Sequence, residues 1–324
     1  MSRTRLELLR ARRLLPAILT SLLLTACGGG GDSSAPTTTA PTQTFLAQQA
    51  TDSFNLFNTR RQQTGLAILA RNAFVDAAAQ GHSNYQALND TITHTQIAGN
   101  PGFTAVKLGD TLDPNKNCVV LVPGRLTVAG YQFGPCDYAY GEVIAKKTGD
   151  TSGVNAANDL ITAIFHRFVI FEPMFKDAGA GAATSASGAT YFTTDFAANG
   201  LDRGLGAGKF VVYPYANQTD IPTVFMSDTE SPDPVPTRNA VGFPISVHAD
   251  IISTVTVTTF TVQPRGGAPL QVQPLTHAAN PETPNSAAAI IPLDVLTAGT
   301  VYDVAFTGTV YGVAATRNWS FTTR

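Results

Sequence analysis

Residues 78–85 read Ala-Ala-Gln-Gly-His-Ser-Asn-Tyr and lie inside an alanine-rich run over 71–88. Apolar side chains recur in that run at steps of three and four residues, which is the spacing of one helix face. The same spacing predicts helices over 45–70, interrupted at Gly65, and over 150–171. Strand-like segments separate or follow these helices at 118–123, 141–145, 178–183 and 191–196. Helices mixed with short, separated strands indicate an α/β or α+β layered domain.

The chain changes character at about residue 211. Helix signals vanish, and threonine, valine and proline dominate. The run IISTVTVTTFTV at 251–262 alternates between apolar and polar residues, as do 300–310 and 319–323. Alternating runs separated by turn residues predict antiparallel strands, so we expect a small β-sandwich over residues 211–324.

Composition narrows the class of protein. The chain has 324 residues, of which 44% are hydrophobic and 14% charged. That is enough for about two domains with buried cores. A net charge of −2 excludes a basic nucleic-acid-binding protein, and three cysteines exclude a disulfide-dense scaffold.

Residues 1–27 have the pattern of an export signal. Five arginines precede an apolar stretch, residues 14–24, that is too short to span a bilayer. The sequence Leu24-Thr25-Ala26-Cys27 resembles a bacterial lipobox, in which the cysteine is lipidated and becomes the new N-terminus. We therefore expect Cys27 to carry a membrane anchor, and an ordinary secretory signal is the alternative. Gly28, rather than aspartate, follows Cys27, which in a Gram-negative host favours the outer membrane.

Residues 28–46 are rich in glycine, serine, threonine and proline, which is typical of a flexible tether. Removing residues 1–26 takes away five basic residues and one acidic residue, so the net charge becomes −6. Anionic partners are therefore not favoured. Cys118 and Cys136 are then the remaining pair, and in an oxidising compartment we expect a disulfide between them. A metal-binding or catalytic role for either cysteine is the alternative.

The region before about residue 211 resembles the CAP superfamily, which comprises cysteine-rich secretory proteins, antigen 5 and pathogenesis-related 1 proteins. Residues 78–85 resemble the family's alanine-rich helix with its His-Ser-x-Tyr segment, and Gly141-Glu142-Val143-Ile144-Ala145 resembles its Gly-Glu-Asn-Ile-Ala strand. Further segments follow in the family's order: Phe57-Asn58-Thr59-Arg60, Thr93-His94, Arg125 with Gly130-Tyr131, His166-Arg167 and residues 191–196. The resemblance implies an α-β-α sandwich with a surface groove, which we assign to residues 47–210.

The resemblance also implies a site. The family's groove is built around two histidines and two acidic residues, and sometimes holds a divalent metal. His94, Glu142 and His166 match three of these positions, whereas Ala163 occupies the position of the second acidic residue. Two histidines and a glutamate still suit zinc with one open position. We therefore expect these three residues to line a groove for a small lipid-like amphipathic ligand, a metal such as zinc or a protein partner. A purely structural role is the alternative.

The second region, residues 211–324, resembles bacterial Ig-like modules. The resemblance rests on Leu296-Thr297-Ala298-Gly299-Thr300-Val301-Tyr302 and on the closing Trp319-Ser320-Phe321-Thr322-Thr323. The expected fold class is thus α+β, a CAP-type α-β-α sandwich followed by an all-β Ig-like sandwich. Asp228, Glu230 and Asp233 lie in a proline-rich loop that we expect to be solvated, with weak calcium binding as the alternative.

Three functions are compatible with this sequence: a surface-exposed binding module, a metal-dependent envelope hydrolase or protease using the same groove, and a structural envelope protein. The sequence has no Gly-x-Ser-x-Gly elbow, no phosphate loop and no His-Glu-x-x-His helix, so we assign no catalytic residue. Ala163 argues against the hydrolase, and the binding module is preferred. We expect His82 to have a packing role and His248 and His277 to be structural.

Overall fold

The computed structural model describes residues 41–116, 118–134 and 136–324, which belong to one compact unit. The export signal, the proposed lipidation site Cys27 and the first part of the linker lie outside the described residues. No helix in the described part of the chain is both long enough and apolar enough to cross a membrane.

Helices and strands alternate before residue 200. The helices are α1 (Gln43–Thr64), α2 (Ala73–Asn89), α3 (Arg125–Val128), α4 (Gly153–Thr162) and α5 (Ile164–Ile170). The strands are β1 (Ala70–Arg71), β2 (Thr111–Leu112), β3 (Val120–Val122), β4 (Tyr138–Thr148), β5 (Asp177–Thr184) and β6 (Ala189–Asn199). The α+β prediction is confirmed by these elements together with the all-β region that follows them.

Local signals in the sequence set most helix ends. The Thr42 hydroxyl accepts from the Phe45 amide at the start of α1, and Gly65 ends that helix with a φ of 92°. Asn72 caps α2 in the same way through the amides of Phe74 and Val75. The predicted helix over 150–171 is wrong in one respect, because the backbone at Ala163 is extended and divides it into α4 and α5.

A four-stranded sheet in the order β1-β5-β6-β4 lies between two helical layers. On one face, Gly179 and Gly181 approach α2 so closely that a Cβ at Gly179 would lie 2.1 Å from the Asp76 nitrogen. On the other face, Ala178 and Ala180 pack in one hydrophobic cluster with Phe57 of α1. This α-β-α arrangement follows from the alternation of side chains along β5.

The region after residue 210 contains strands and one short 3₁₀ helix (Ser227–Thr229), with no α-helix among its described residues. Its strands are β7 (Val211–Tyr213), β8 (Gln218–Ile221), β9 (Phe225–Met226), β10 (Ala240–Val241), β11 (Ile245–His248), β12 (Val255–Pro264), β13 (Val272–Thr276), β14 (Ala287–Pro292), β15 (Val301–Val310) and β16 (Val313–Thr323). Two four-stranded sheets form, in the orders β13-β14-β11-β7 and β12-β15-β16-β8, and β9 pairs with β10. The sequence did not predict β14, because all its residues are buried and therefore do not alternate.

The two regions share a hydrophobic core. One cluster runs from Phe57 and Phe196 through Tyr213 and Phe243 to Phe306. Arg167 of α5 is fully buried in this junction, where its guanidinium carbon lies 4.9 Å from the Tyr213 ring centroid and 4.8 Å from that of Phe243. Its Nη1 donates to the Pro244 carbonyl at 2.6 Å. Burial of an arginine is tolerated here because carbonyls and aromatic faces replace water.

The disulfide between Cys118 and Cys136 is confirmed, with the two Cα atoms 5.4 Å apart. It ties the hairpin formed by β2 and β3 to the segment that leads into β4. The cysteines therefore have a structural role in the region that precedes Glu142.

Candidate functional site

His94 and Glu142 form a hydrogen-bonded pair. His94 lies in the loop after α2, Glu142 lies on β4, and His94 Nδ1 is 2.8 Å from Glu142 Oε1. The two side chains differ sharply in exposure, at 60% for His94 and 4% for Glu142. A buried carboxylate therefore orients an imidazole that faces solvent.

Arg125 compensates the charge of Glu142. Its Nη2 lies 2.6 Å from Glu142 Oε2, and its Nη1 donates to the His94 carbonyl at 3.1 Å. Arg125 is buried at the first position of α3. One guanidinium thus binds both the carboxylate and the backbone of the loop that presents His94.

His82 of α2 also holds the loop that carries His94 in place. Its Nε2 donates to the Thr93 carbonyl at 2.7 Å, and its Nδ1 accepts from Gln96 Nε2 at 3.0 Å. Burial lowers the pKa of His82, so this ring is neutral at pH 7. Both ring nitrogens are used within the loop, which agrees with the packing role expected from the sequence.

Asp195 of β6 stands directly opposite Glu142 in the β4–β6 ladder, and both side chains are buried. Burial, together with the negative charge of Glu142, raises the pKa of Asp195 well above its usual range. Burial also tends to raise the pKa of Glu142, but the hydrogen bond from His94 and the charge of Arg125 outweigh it and lower this pKa to about 2. The site therefore places two buried carboxyl groups beside each other, and Glu142 is the one that pairs with the guanidinium of Arg125.

This arrangement defines what His94 can do chemically. An ionised Glu142 accepts the hydrogen on Nδ1, which leaves a lone pair on Nε2 of the exposed ring. That nitrogen can accept a hydrogen bond from a ligand or act as a single metal ligand. The buried carboxylate, guanidinium and second imidazole behind it hold the ring in position.

The third predicted residue, His166, has a different partner. Its Nδ1 lies 3.0 Å from Oε1 of Glu230, which follows the 3₁₀ helix of the C-terminal region. The same carboxylate accepts from the backbone amides of Ile164 at 2.8 Å and Phe165 at 2.9 Å, and so caps α5. This tertiary cap explains why the helix breaks at Ala163, since Glu230 satisfies amides that a continuous helix would have bonded internally.

The sheet lies between His166 and the pair formed by His94 and Glu142. Neighbouring residues of a strand point to opposite faces, and the space above Gly141 is filled by Val169 of α5 and by Phe175. Glu142 therefore points to the face covered by α2. The described residues contain no group of three or more histidine, cysteine, aspartate or glutamate side chains arranged to hold a metal ion. The residues present thus do not fit a three-ligand zinc site.

Sequence reasoning missed three contributors to these sites: Arg125, Asp195 and Glu230. The first two stood inside segments that carry the CAP resemblance, but no pattern marked them as partners of Glu142. The expectation of a solvated acidic loop is wrong for Glu230, which is 4% exposed, and holds for Asp228, whose exposed carboxylate accepts from Asn239. No local signal reveals Glu230, because its contacts join residues far apart in the chain.

The remaining histidines have local partners. His248 is buried, with Nε2 2.9 Å from the Ser246 hydroxyl, and burial together with the charge of Arg167 lowers its pKa well below the usual value. His277 Nδ1 donates to the Thr283 carbonyl at 2.8 Å. These contacts agree with the structural roles expected for both residues.

Comparison with known proteins identifies the class of the N-terminal region. The model of the cysteine-rich secretory protein family, CAP, matches residues 54–196. This part of the chain is therefore a CAP domain of that family. A comparison with curated proteins found no match.

Solved structures with similarity to this chain include two bacterial proteins. An extracellular protein containing an SCP domain from Bacillus anthracis str. Ames is 22% identical, with a TM-score of 0.36, and the match covers 48% of this chain and 42% of that one. An outer surface protein from Borrelia burgdorferi is 14% identical, with a TM-score of 0.35, over 47% of this chain and 93% of that one.

Proposed function

We propose that this protein is an exported, lipid-anchored binding protein that holds a small amphipathic ligand on the CAP-domain surface around His94. The observation that carries the proposal is the 2.8 Å contact between the exposed His94 ring and the buried Glu142 carboxylate. A ring held in this way loses little conformational freedom when a ligand binds, which favours affinity.

The loop that carries His94 also supplies apolar surface. Ile92 and Ile97 are 54% and 63% exposed, two and three residues from the histidine. Exposed aliphatic side chains beside a fixed hydrogen-bond acceptor suit a molecule with one polar and one apolar end. A protein partner with an apolar contact and a hydrogen-bond donor would use the same features.

The hydrolase alternative has less support. Metal-dependent hydrolysis needs an ion that activates a water molecule, held by a set of protein ligands. His94 and Glu142 supply at most two such ligands, and Glu142 already binds Arg125.

The proposal of export and anchoring rests on residues 1–27, in which a basic segment, an apolar stretch and Cys27 follow in order.

A fluorescence titration tests the proposed site. Residues 41–324 would be titrated with 12-(dansylamino)dodecan-1-ol, a fluorescent amphiphile whose neutral hydroxyl group can donate to Nε2 of His94. We expect saturable binding that weakens about tenfold in His94→Ala, the effect of losing one ordered hydrogen bond of about 1.4 kcal/mol. His277→Ala is the matched control, since it removes an imidazole from the other region. Equal binding by the wild type and His94→Ala would contradict the proposal.

Two further measurements separate the alternatives. Calorimetric titration with zinc should show no stoichiometric site that depends on His94; such a site would favour the metal-dependent alternative instead. For the anchor, the full chain expressed in a Gram-negative host should fractionate with membranes, and Cys27→Ser should release it. Release of the wild-type chain would favour an ordinary secretory signal.

A further inference from the structure

The outward face of the C-terminal sheet β12-β15-β16 carries polar and mostly uncharged side chains. Pairing between these strands places side chains in rows across the sheet, since residues directly opposite share a face. One row is Thr261–Ala305–Asn318, and the next is Gln263–Asp303–Ser320. A third row, Thr259–Thr307–Thr316, continues the face. The alternating core residues Val304, Phe306 and Phe321 point the other way and are buried.

A hollow of about 460 Å³ opens on this face, and we call it the sheet hollow. Ala305 lies at the centre of its row, where a single methyl group stands between the longer side chains of Thr261 and Asn318. The segment before β8 closes one side with Asn217. The volume lies within the range of pockets that hold small ligands.

The polar side chains around the sheet hollow are largely unused by the protein. Within the described residues, the side chains of Thr261, Gln263 and Asn318 make no hydrogen bond. Ser320 donates to Asn217 Oδ1 at 3.3 Å, which leaves the Asn217 amide nitrogen free to donate. Three amides and two hydroxyls therefore converge on one hollow with donors and acceptors available.

Charge decides what kind of molecule fits this surface. Asp303 is the one ionisable side chain in the three rows, and Arg265 neutralises it through a contact of 2.7 Å between Nη2 and Oδ1. An anionic ligand would find no free cation in these rows, and an apolar ligand would find threonines and amides. A neutral molecule rich in hydroxyl groups complements this surface.

We propose that the sheet hollow is a binding site for a neutral saccharide. The amides of Gln263 and Asn318 and the hydroxyl of Thr261 hydrogen-bond the sugar hydroxyls, and Ala305 leaves room for the ring. The sheet hollow lies in the C-terminal region, whereas His94 lies in the CAP domain. Saccharide binding therefore does not depend on the function proposed for the CAP domain. It gives an anchored protein a second contact, with a neutral polysaccharide.

Affinity electrophoresis tests the proposal directly. The purified full chain in neutral detergent would migrate through native gels that contain dextran, mannan or a soluble β-1,3-glucan, with a polysaccharide-free gel as reference. We expect retardation in at least one of these gels. The dissociation constant should rise tenfold or more in the double variant Gln263→Ala/Asn318→Ala, because two hydrogen-bonding groups are lost. Gln273→Ala on the other sheet should migrate as the wild type does.

A second variant separates loss of binding from loss of folding. Ala305→Leu fills the sheet hollow without removing a polar group, and should abolish retardation while the unfolding temperature stays near that of the wild type. Failure of the wild type to be retarded by any neutral polysaccharide would overturn the proposal. Retardation only in a gel containing an anionic polysaccharide would also overturn it, as would full binding by both variants.

Discussion

Glu230 reaches His166 across 64 positions of sequence, with 3.0 Å between Oε1 and Nδ1. The same carboxylate caps α5, the helix that carries His166. The CAP resemblance implies an acidic residue at position 163, where this chain has alanine. The C-terminal region thus brings a buried carboxylate to the start of α5 from outside the CAP domain, and hydrogen bonds to this carboxylate join the two regions.

Removal of this carboxylate should destabilise the protein. We expect Glu230→Ala to lower the free energy of unfolding by about 2–3 kcal/mol, because it removes a helix cap and leaves buried amides unpaired. Asp228→Ala, an exposed acidic residue of the same loop, should cost about 0.5 kcal/mol or less. Urea unfolding measures both losses, and hydrogen exchange at Ile164 and Phe165 should accelerate only in Glu230→Ala. Similar losses in the two variants would contradict the capping role.

The pair of Arg125 and Glu142 should behave as a coupled unit. Arg125→Met leaves a carboxylate buried without its cation, and we expect a loss of about 3–5 kcal/mol in urea unfolding. The double variant Arg125→Met/Glu142→Gln removes both charges and should recover part of this loss. Arg265→Met, which breaks the solvent-exposed pair with Asp303, should have a much smaller effect on stability than Arg125→Met. If the double variant were less stable than Arg125→Met alone, the ion-pair argument would fail.

Glu172 should make the stability depend on pH. Its Oε1 accepts from the amides of Met174 and Ile251 at 3.0 Å, and burial raises its pKa from 4.5 to about 8. Because the folded state holds this proton more tightly than the unfolded state, the stabilising effect is complete below pH 4.5 and is lost as the pH rises towards 8. The slope is at most about 1.4 kcal/mol per pH unit.

Substitution of Glu172 isolates its contribution to this pH dependence. Glu172→Gln keeps an oxygen for both amides and should flatten the decline between pH 4.5 and 8 in denaturant unfolding. Glu282→Gln changes an exposed glutamate and should leave the profile unchanged. A profile that is the same in Glu172→Gln and the wild type would assign the pH dependence to other groups.

The disulfide should stabilise the segment before β4. Replacing Cys118 and Cys136 by serine opens a closed loop with a sequence separation of 18, for which the chain-entropy model gives about 3 kcal/mol. Reductant should lower the unfolding temperature of the wild type and should not affect the double serine variant. An unchanged unfolding temperature of the wild type in reductant would show that the loop contributes little to global stability.

Much of the fold follows from local patterns. The helical spacing over 71–88 predicts α2, Gly65 predicts the end of α1, and the alternation over 300–310 predicts β15. These features depend on which face of a helix or strand is apolar, and a few neighbouring residues decide that. The buried strand β14 escaped prediction because both of its faces are covered.

The candidate site was likewise predictable from the sequence only in part. The order of motifs in the sequence was sufficient to single out His94 and Glu142, which the structure joins at 2.8 Å. Residue order carries no information about the two faces of β4, so the sequence could not separate His166 from that pair. It also could not reveal that Glu230 divides α4 from α5, because a carboxylate distant in sequence satisfies the amides there. Local sequence patterns determine the helices and strands. The partners of buried ionisable side chains are decided only by the tertiary structure, because it brings together segments that are distant in sequence.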